Sequence, residues 1–126
     1  MMSIKIADAE LEIMLILWRE NRPLPYSEIR TELEVSTDWK KSTIQTLLSR
    51  LKDKGAITAA QHYVTLYSPN ITQEEYSRSE EQTFIDKLFD GSAKNLVASL
   101  CKSGQLSKDD IDELKTFFNV EGDDVK

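Results

Sequence analysis

Apolar residues recur at helical spacing in the middle of the chain, between Trp39 and Gly55. They form a single stripe, at Ile44, Leu47, Leu48 and Leu51. Because residues three or four apart share one helix face, this spacing predicts an amphipathic helix over about residues 40–54. The opposite face carries basic residues, threonines, serines and a glutamine. Gly55 predicts a left-handed cap that ends the helix.

Two further helices are predicted before this segment. The first covers about residues 8–20, with Asp8 as its N-cap and an apolar face broad enough to be mostly buried. Two prolines then forbid its continuation. A shorter helix follows over about residues 27–34, with Ile29 and Leu33 facing inward. The turn after it offers three candidate caps for the third helix, which are Ser36, Thr37 and Asp38.

Two short segments after Gly55 have the composition of β-strands. Ile57 to Gln61 and Tyr63 to Ser68 are rich in β-branched and aromatic residues, and a Pro-Asn pair ends the second segment. Three helices followed by a hairpin within about seventy residues match the plan of a winged helix-turn-helix. We therefore predict a mainly α chain with a small β-hairpin, whose residues 1–70 form a winged helix DNA-binding domain.

Residues 71–126 are predicted to form a three-helix dimerisation domain with a frayed acidic tail. Fewer than sixty residues in three small helices cannot close a large core alone, so their apolar faces favour exchange with a second chain. The alternative is that these helices fold back onto the winged domain of a monomer. The predicted interface comprises Phe84, Ile85, Leu88, Phe89, Leu96, Val97, Leu100, Ile111, Leu114, Phe117 and Phe118.

The charge distribution concentrates positive residues on the predicted third helix. Residues 1–68 contain nine Lys or Arg and nine Asp or Glu, so the net charge of −6 comes entirely from residues 69–126. Within residues 37–55, five basic side chains accompany only Asp38 and Asp53. An acidic chain with one local basic patch is not typical of a general nucleic-acid coating protein, but it is compatible with a sequence-specific DNA binder.

Enzyme, metal and membrane functions find little support in the composition. His62 is the only histidine and Cys101 the only cysteine, so no metal cluster, catalytic dyad or intrachain disulfide is predicted. Cys101 lies among apolar residues, which predicts a buried thiol. No apolar run is long enough to span a bilayer and nothing resembles an export signal. We expect a cytoplasmic protein that is not an enzyme and needs no cofactor.

Several segments of the chain resemble one family of regulators. Ala9 to Trp18 is similar to the opening signature of that family, and Asp38 to Gly55 is similar to its recognition helix, in the pattern DWxxxTIxTLLxRLxxKG. The similarity continues through Phe84 to Phe89, Leu96-Val97 and Leu106 to Leu114. The chain therefore resembles the penicillinase repressors, a family that includes the methicillin-resistance and copper-transport repressors.

The resemblance implies a homodimer that occupies an inverted-repeat operator in double-stranded DNA. The third helix would enter the major groove, where Thr43, Gln45 and Thr46 would face base edges, with Ser42 close by. Phosphates would be held by Lys40, Lys41, Arg50 and Lys54. A glutamine can pair with both N6 and N7 of adenine, whereas phosphate contacts carry no sequence information. The wing, with no Lys or Arg between Ala59 and Tyr63, is expected to add little affinity, with Tyr63 packed and His62 exposed.

The resemblance also implies candidate inducers. In the antibiotic-response branch a membrane sensor protease triggers cleavage of an Asn-Phe bond, and the matching bond here is Ser99–Leu100. The copper branch uses paired Cys-x-Cys motifs, which Cys101 alone does not provide. A different function is also compatible with the acidic composition and the uncharged wing: a winged helix that binds another protein and not DNA.

Overall fold

The computed structural model describes the backbone of residues 4–125 and the side chains of residues 4–117. The chain divides into two compact units, the first ending at Ser79 and the second beginning at Glu80. The elements, in order, are α1 (Asp8–Glu20), β1 (Leu24–Pro25), α2 (Tyr26–Ser36), α3 (Lys41–Asp53), β2 (Ile57–Gln61), β3 (Thr65–Pro69), α4 (Gln73–Phe89), α5 (Ala93–Lys102) and α6 (Lys108–Val125). The predicted mainly helical fold with an N-terminal winged helix is confirmed.

The first helix has the predicted bounds but a different cap. Ala7, not Asp8, is the N-cap residue of α1, and its backbone N–H donates to Glu10 Oε1 at 2.8 Å. The prediction of Asp8 as the N-cap is therefore wrong. The carboxylate of Glu10 accepts the capping hydrogen bond at this end of the helix. Asn21 then adopts a left-handed conformation at the C-cap, with φ of 53°, before the two prolines.

The turn between α2 and α3 lies two residues later than predicted. The hydroxyl of Thr37 donates to Leu33 O at 2.8 Å and accepts the backbone N–H of Trp39 at 3.2 Å. Thr37 therefore shapes the turn and does not cap α3, and neither Ser36 nor Asp38 caps it. Lys40 is the N-cap residue of α3 and provides no side-chain cap hydrogen bond.

The predicted hairpin is part of a three-stranded antiparallel sheet in the order β1-β3-β2. In the hairpin, Ile57 pairs with Pro69 and Gln61 with Thr65, so the second strand begins two residues later than predicted. The extra strand pairs Leu24 with Tyr67. The side chain of Leu24 is buried, so this short strand closes the sheet against the helices.

The core of the first unit lies between the three N-terminal helices and the sheet. Its fully buried side chains are mostly aliphatic, and they include Ile13, Met14, Leu17, Leu24, Ile29, Leu33, Ile44, Leu51 and Ile57. Trp18 closes one end of this core, where its Nε1–H donates to Ile71 O at 2.9 Å and its ring lies 5.8 Å from that of Tyr76. These contacts attach the first turn of α4 to the winged unit.

The second unit leaves much apolar surface exposed. Leu88 is 65 % exposed, and Phe84, Val97, Leu114 and Phe117 are also largely accessible. Ser107 and Asp110 form a reciprocal capping box at the start of α6, where the sequence predicts Ser107 as the cap. The prediction of a buried Cys101 is wrong, because its thiol is exposed on α5. The side chain of Phe118 lies outside the described residues.

Candidate nucleic-acid interface

The outer face of α3 is a continuous polar surface. With about 100° of rotation per residue, Ser42, Thr46 and Ser49 lie within about 30° of the direction opposite the buried stripe. Gln45 and Arg50 flank them on either side. All five side chains are exposed, whereas the predicted stripe of Ile44, Leu47, Leu48 and Leu51 is buried as expected. The structure thus presents short hydrogen-bonding side chains at the centre of one helix face.

The end of this helix is fixed by its glycine. Gly55 has φ of 79°, and its N–H donates to Lys52 O at 3.0 Å, while the N–H of Ala56 donates to Leu51 O at 2.9 Å. This pair of bonds is the Schellman motif, which requires a left-handed residue at the position of Gly55. The predicted left-handed cap is confirmed. Ala56 is buried beyond it and leads the chain into the wing.

Two sets of basic residues in the winged unit differ in whether they form ion pairs. On α1, α2 and the loop between them, Arg19, Arg22 and Arg30 all form ion pairs with glutamates. By contrast, Lys40, Lys41 and Arg50 are exposed and form no salt bridge with any described residue. Positive charge that is not neutralised by a direct partner is therefore concentrated along α3.

Lys54 differs from the other basic residues predicted to hold phosphates. Its Nζ donates to Glu10 Oε1 and, at 2.9 Å, to Lys5 O. Glu10 is only 1 % exposed, and its Oε1 is the atom that also accepts the N–H of Ala7. The sequence predicts Glu10 only as an acidic residue in the first turn of α1. The contact with Lys54 joins residues 44 apart in the chain, and no local pattern signals it.

The ionisation of Glu10 follows from these contacts. Burial raises the pKa of its carboxyl. The hydrogen bonds from Lys54 and from the Ala7 backbone, together with the charges of Lys54 and Arg50, outweigh burial, so the pKa of Glu10 lies below its ordinary value. The carboxyl is accordingly an anion in the folded chain at neutral pH.

This lowered pKa predicts a specific pH dependence of stability. A group with a depressed pKa in the folded state stabilises it above the unfolded pKa, and that contribution is lost as the pH falls through the folded pKa. We expect Glu10→Gln to lower the free energy of unfolding by about 1.5–3 kcal/mol at neutral pH. The difference from wild type should shrink as the pH falls below about 4.3, the ordinary glutamate value. Urea unfolding of both proteins at several pH values measures this difference in the free energy of unfolding. The exposed Glu12→Gln variant is the control, and a difference that does not vary with pH would contradict the assignment.

The wing lies beside the start of α3. A groove of about 490 Å³ separates them, lined by Pro25, Tyr26, Ser27, Lys41, Gln45, Gln61, Val64, Thr65 and Tyr67. At the tip of the wing His62 is exposed, as predicted. The prediction of a packed Tyr63 is wrong, because that side chain is fully exposed. Gln45 therefore stands between two accessible surfaces, the outer face of α3 and the wing groove.

Other kinds of site receive no support from the described part of the chain. Among residues 4–117, whose side chains the structure describes, no group of histidine, cysteine and acidic residues could hold a metal ion. No helix within residues 4–125 is both long and apolar enough to cross a bilayer. The Ser99–Leu100 bond lies inside α5, with Ser99 exposed and Leu100 half-buried.

Comparisons with known proteins agree on one family. The family model described as penicillinase repressor matches residues 6–119. The penicillinase repressor of Bacillus licheniformis is 33 % identical over 111 residues, which cover 87 % of this chain and 86 % of that protein. The solution structure of the DNA-binding domain of the repressor BlaI matches with a TM-score of 0.53 and 38 % identity, over 60 % of this chain and 94 % of that one.

A second solved structure matches equally well. It is the solution structure of the monomeric form of Bacillus licheniformis BlaI in complex with the blaP half-operator, again with a TM-score of 0.53, 38 % identity and the same coverage. The family model covers most of the chain, with residues from both compact units, whereas the two solved structures each match 60 % of it. The chain therefore belongs to the penicillinase repressor family.

Proposed function

We propose that this protein is a transcriptional repressor that binds double-stranded operator DNA as a homodimer in the cytoplasm. The observation that carries the proposal is the outer face of α3, where short polar side chains are flanked by cations that have no acidic partner among the described residues. Such a face combines the two requirements of a reading helix, hydrogen-bonding groups for base edges and positive charge for phosphates. Its relative BlaI has been solved in complex with a half-operator, which supports the same role here.

The residues of α3 divide into two tasks. Thr43, Gln45 and Thr46, with Ser42 close by, face base edges in the major groove. Gln45 pairs with an adenine through its N6 and N7, and the methyl group of a threonine packs on a thymine methyl. The phosphates beside them are held by Lys40, Lys41 and Arg50.

The second unit, together with the α4 segment that leads into it, joins two copies of the chain. Leu88, Phe84 and Val97 expose apolar surface that a second copy would cover, and exposed apolar surface of this kind favours an interface. A two-fold dimer places two reading helices about one turn of DNA apart, or a multiple of it, and therefore prefers an inverted repeat.

The test of this function is selection of bound duplexes from a random pool, followed by affinity measurements at two salt concentrations. Recovery of an inverted repeat, with affinity that falls steeply as salt rises, is the expected result. If folded protein recovers no sequence above background, the proposal is wrong, and the winged helix is better assigned to binding another protein.

Two substitutions on α3 should separate base reading from phosphate binding. Gln45→Ala should remove the preference for one base pair in each half-site, worth about 1–3 kcal/mol for each base pair read. Lys41→Met should weaken binding to operator and to unrelated duplexes alike. It should also reduce the slope of log affinity against log salt by about one unit for each phosphate that is no longer held. Titrations of both variants on the selected operator and on single-base variants measure these effects. Gln105→Ala, outside the winged unit, is the control. Unchanged base preference in Gln45→Ala would remove Gln45 from the reading set.

A further inference from the structure

The buried carboxylate of Glu10 has no role in the proposed contact with DNA, yet it lies against the end of the reading helix. It sits at the start of α1, and its partner Lys54 is the C-cap residue of α3. Arg50, one turn earlier on α3, is close enough for its charge to lower the pKa of Glu10. The groups in contact with Glu10 are therefore the Lys54 ammonium and the Ala7 N–H, and the Lys54 ammonium also donates to the Lys5 carbonyl.

The hydrogen-bond partners of Lys54 set it apart from the phosphate-binding candidates. Lys54 lies about 70° from the middle of the buried stripe, as Lys41 does on the other side, and neither lysine lies on the outer face with Ser42 and Thr46. Two of the three donors of its ammonium group are occupied, by Glu10 Oε1 and by Lys5 O at 2.9 Å. A lysine held in this way is directed toward α1 and away from the outer face of the helix.

Apart from Glu10, the buried residues of α1 and α3 are all apolar. Apolar packing is non-directional, so by itself it allows small rotations and slides of one helix on the other. A charge-assisted hydrogen bond has a defined direction and length, and it fixes the register of the two helices. Buried ion pairs often add little net stability, and fixing one arrangement among several is a use attested for them in some proteins.

We propose that Glu10 and Lys54 are positioning residues, which hold the reading helix at the rotation and height on α1 that operator recognition requires. This inference rests on the proposed function of α3 as a DNA-reading helix. Lys54 then acts on DNA through the placement of α3 and makes no phosphate contact, a different role from the one that the family resemblance implies.

The test compares Lys54→Met with Lys41→Met, which makes the same change on the same helix at a lysine that forms no salt bridge with any described residue. Lys54→Met should lower affinity for the selected operator by about tenfold, comparable to the removal of one good base contact. Its affinity for unrelated duplex and its salt slope should equal those of wild type, because these depend on the number of phosphates held. Lys41→Met should lower both affinities and the slope. All measurements are made on protein that circular dichroism shows to be folded at the assay temperature.

A second variant keeps the result interpretable if Lys54→Met folds poorly. Glu10→Gln retains an acceptor for the Ala7 N–H but removes the charge that holds Lys54. It should reproduce the fall in operator affinity without a change in salt slope, and the double variant should bind no more weakly than either single one. Two results would overturn the proposal. In one, Lys54→Met lowers the slope, which makes Lys54 a phosphate ligand. In the other, operator affinity is unchanged in the folded variants, which means that the pair contributes to stability and not to recognition. If wild type prefers no operator at all, the proposed function has failed and not this inference.

Discussion

Replacement of Leu88 by aspartate should convert the proposed dimer into monomers. Leu88 is 65 % exposed on α4 in the single chain, so an isolated monomer tolerates a charge there. In a dimer the two new carboxylates would lose water without gaining a partner, at a cost of several kcal/mol each. Even about 4 kcal/mol weakens association about a thousandfold. Sedimentation velocity at micromolar concentration measures the change in assembly.

Operator binding should fall with the dimer. When two reading helices are linked, the second half-site is bound at a high effective concentration, which raises affinity by about 10²–10⁴ over a single site. Leu88→Asp should lose that factor in its affinity for the full operator. Its affinity for an isolated half-site should equal that of wild type. The matched control is Val35→Asp, which places the same charge at an apolar residue that is 88 % exposed on α2. A Leu88→Asp protein that remained dimeric would remove Leu88 from the interface.

The reading helix could be predicted from the sequence because its signal is local. The apolar stripe at Ile44, Leu47, Leu48 and Leu51 repeats at the helical period, and Gly55 follows at the one place where a left-handed residue ends the helix. Both are patterns among residues close together in the sequence, and the structure contains the buried stripe and the left-handed Gly55. The same holds for Ser107, a residue type that favours the N-cap position, whose hydroxyl accepts the Asp110 N–H at the start of α6.

The parts of the fold that could not be predicted depend on contacts between distant residues. Leu24 and Pro25 look like a loop between helices, and only pairing with Tyr67 and Leu66 makes them a strand. Cys101 has the apolar neighbours of a core residue, but its thiol faces solvent in the single chain. Burial of an amphipathic helix depends on what packs against it, and a single sequence does not specify that partner.

The candidate site likewise has one part that local sequence predicts and one part that depends on contacts between distant residues. The types and spacing of residues on α3 were sufficient to predict its exposed polar face. The connection from Lys54 to Glu10 was not predictable, because a lysine at the end of a helix looks the same whether its ammonium group faces DNA or a buried carboxylate. Only the packing of α1 on α3 distinguishes the two, and it separates Lys54 from Lys41.

Truncation of Leu51 should have the largest effect on the stability of the winged unit. Its side chain is fully buried in the last turn of α3, between the helix and the rest of the core. Leu51→Ala removes its transfer free energy and leaves a cavity that the surrounding helices fill only in part, at a cost of about 2–5 kcal/mol. For a unit of fewer than eighty residues, each kcal/mol lowers the melting temperature by about 4–8 °C. Thermal unfolding followed by circular dichroism measures the shift.

The matched control is the same substitution at Leu15, which is 41 % exposed on α1. Leu15→Ala removes less buried surface and leaves no closed cavity, so it should cost less than about 1.5 kcal/mol. Because Leu51 lies one turn from Lys54, the comparison also tests how α3 is held. If Leu51→Ala cost no more than Leu15→Ala, the buried stripe would not be what anchors the reading helix, and the ion pair with Glu10 would have to carry that role alone.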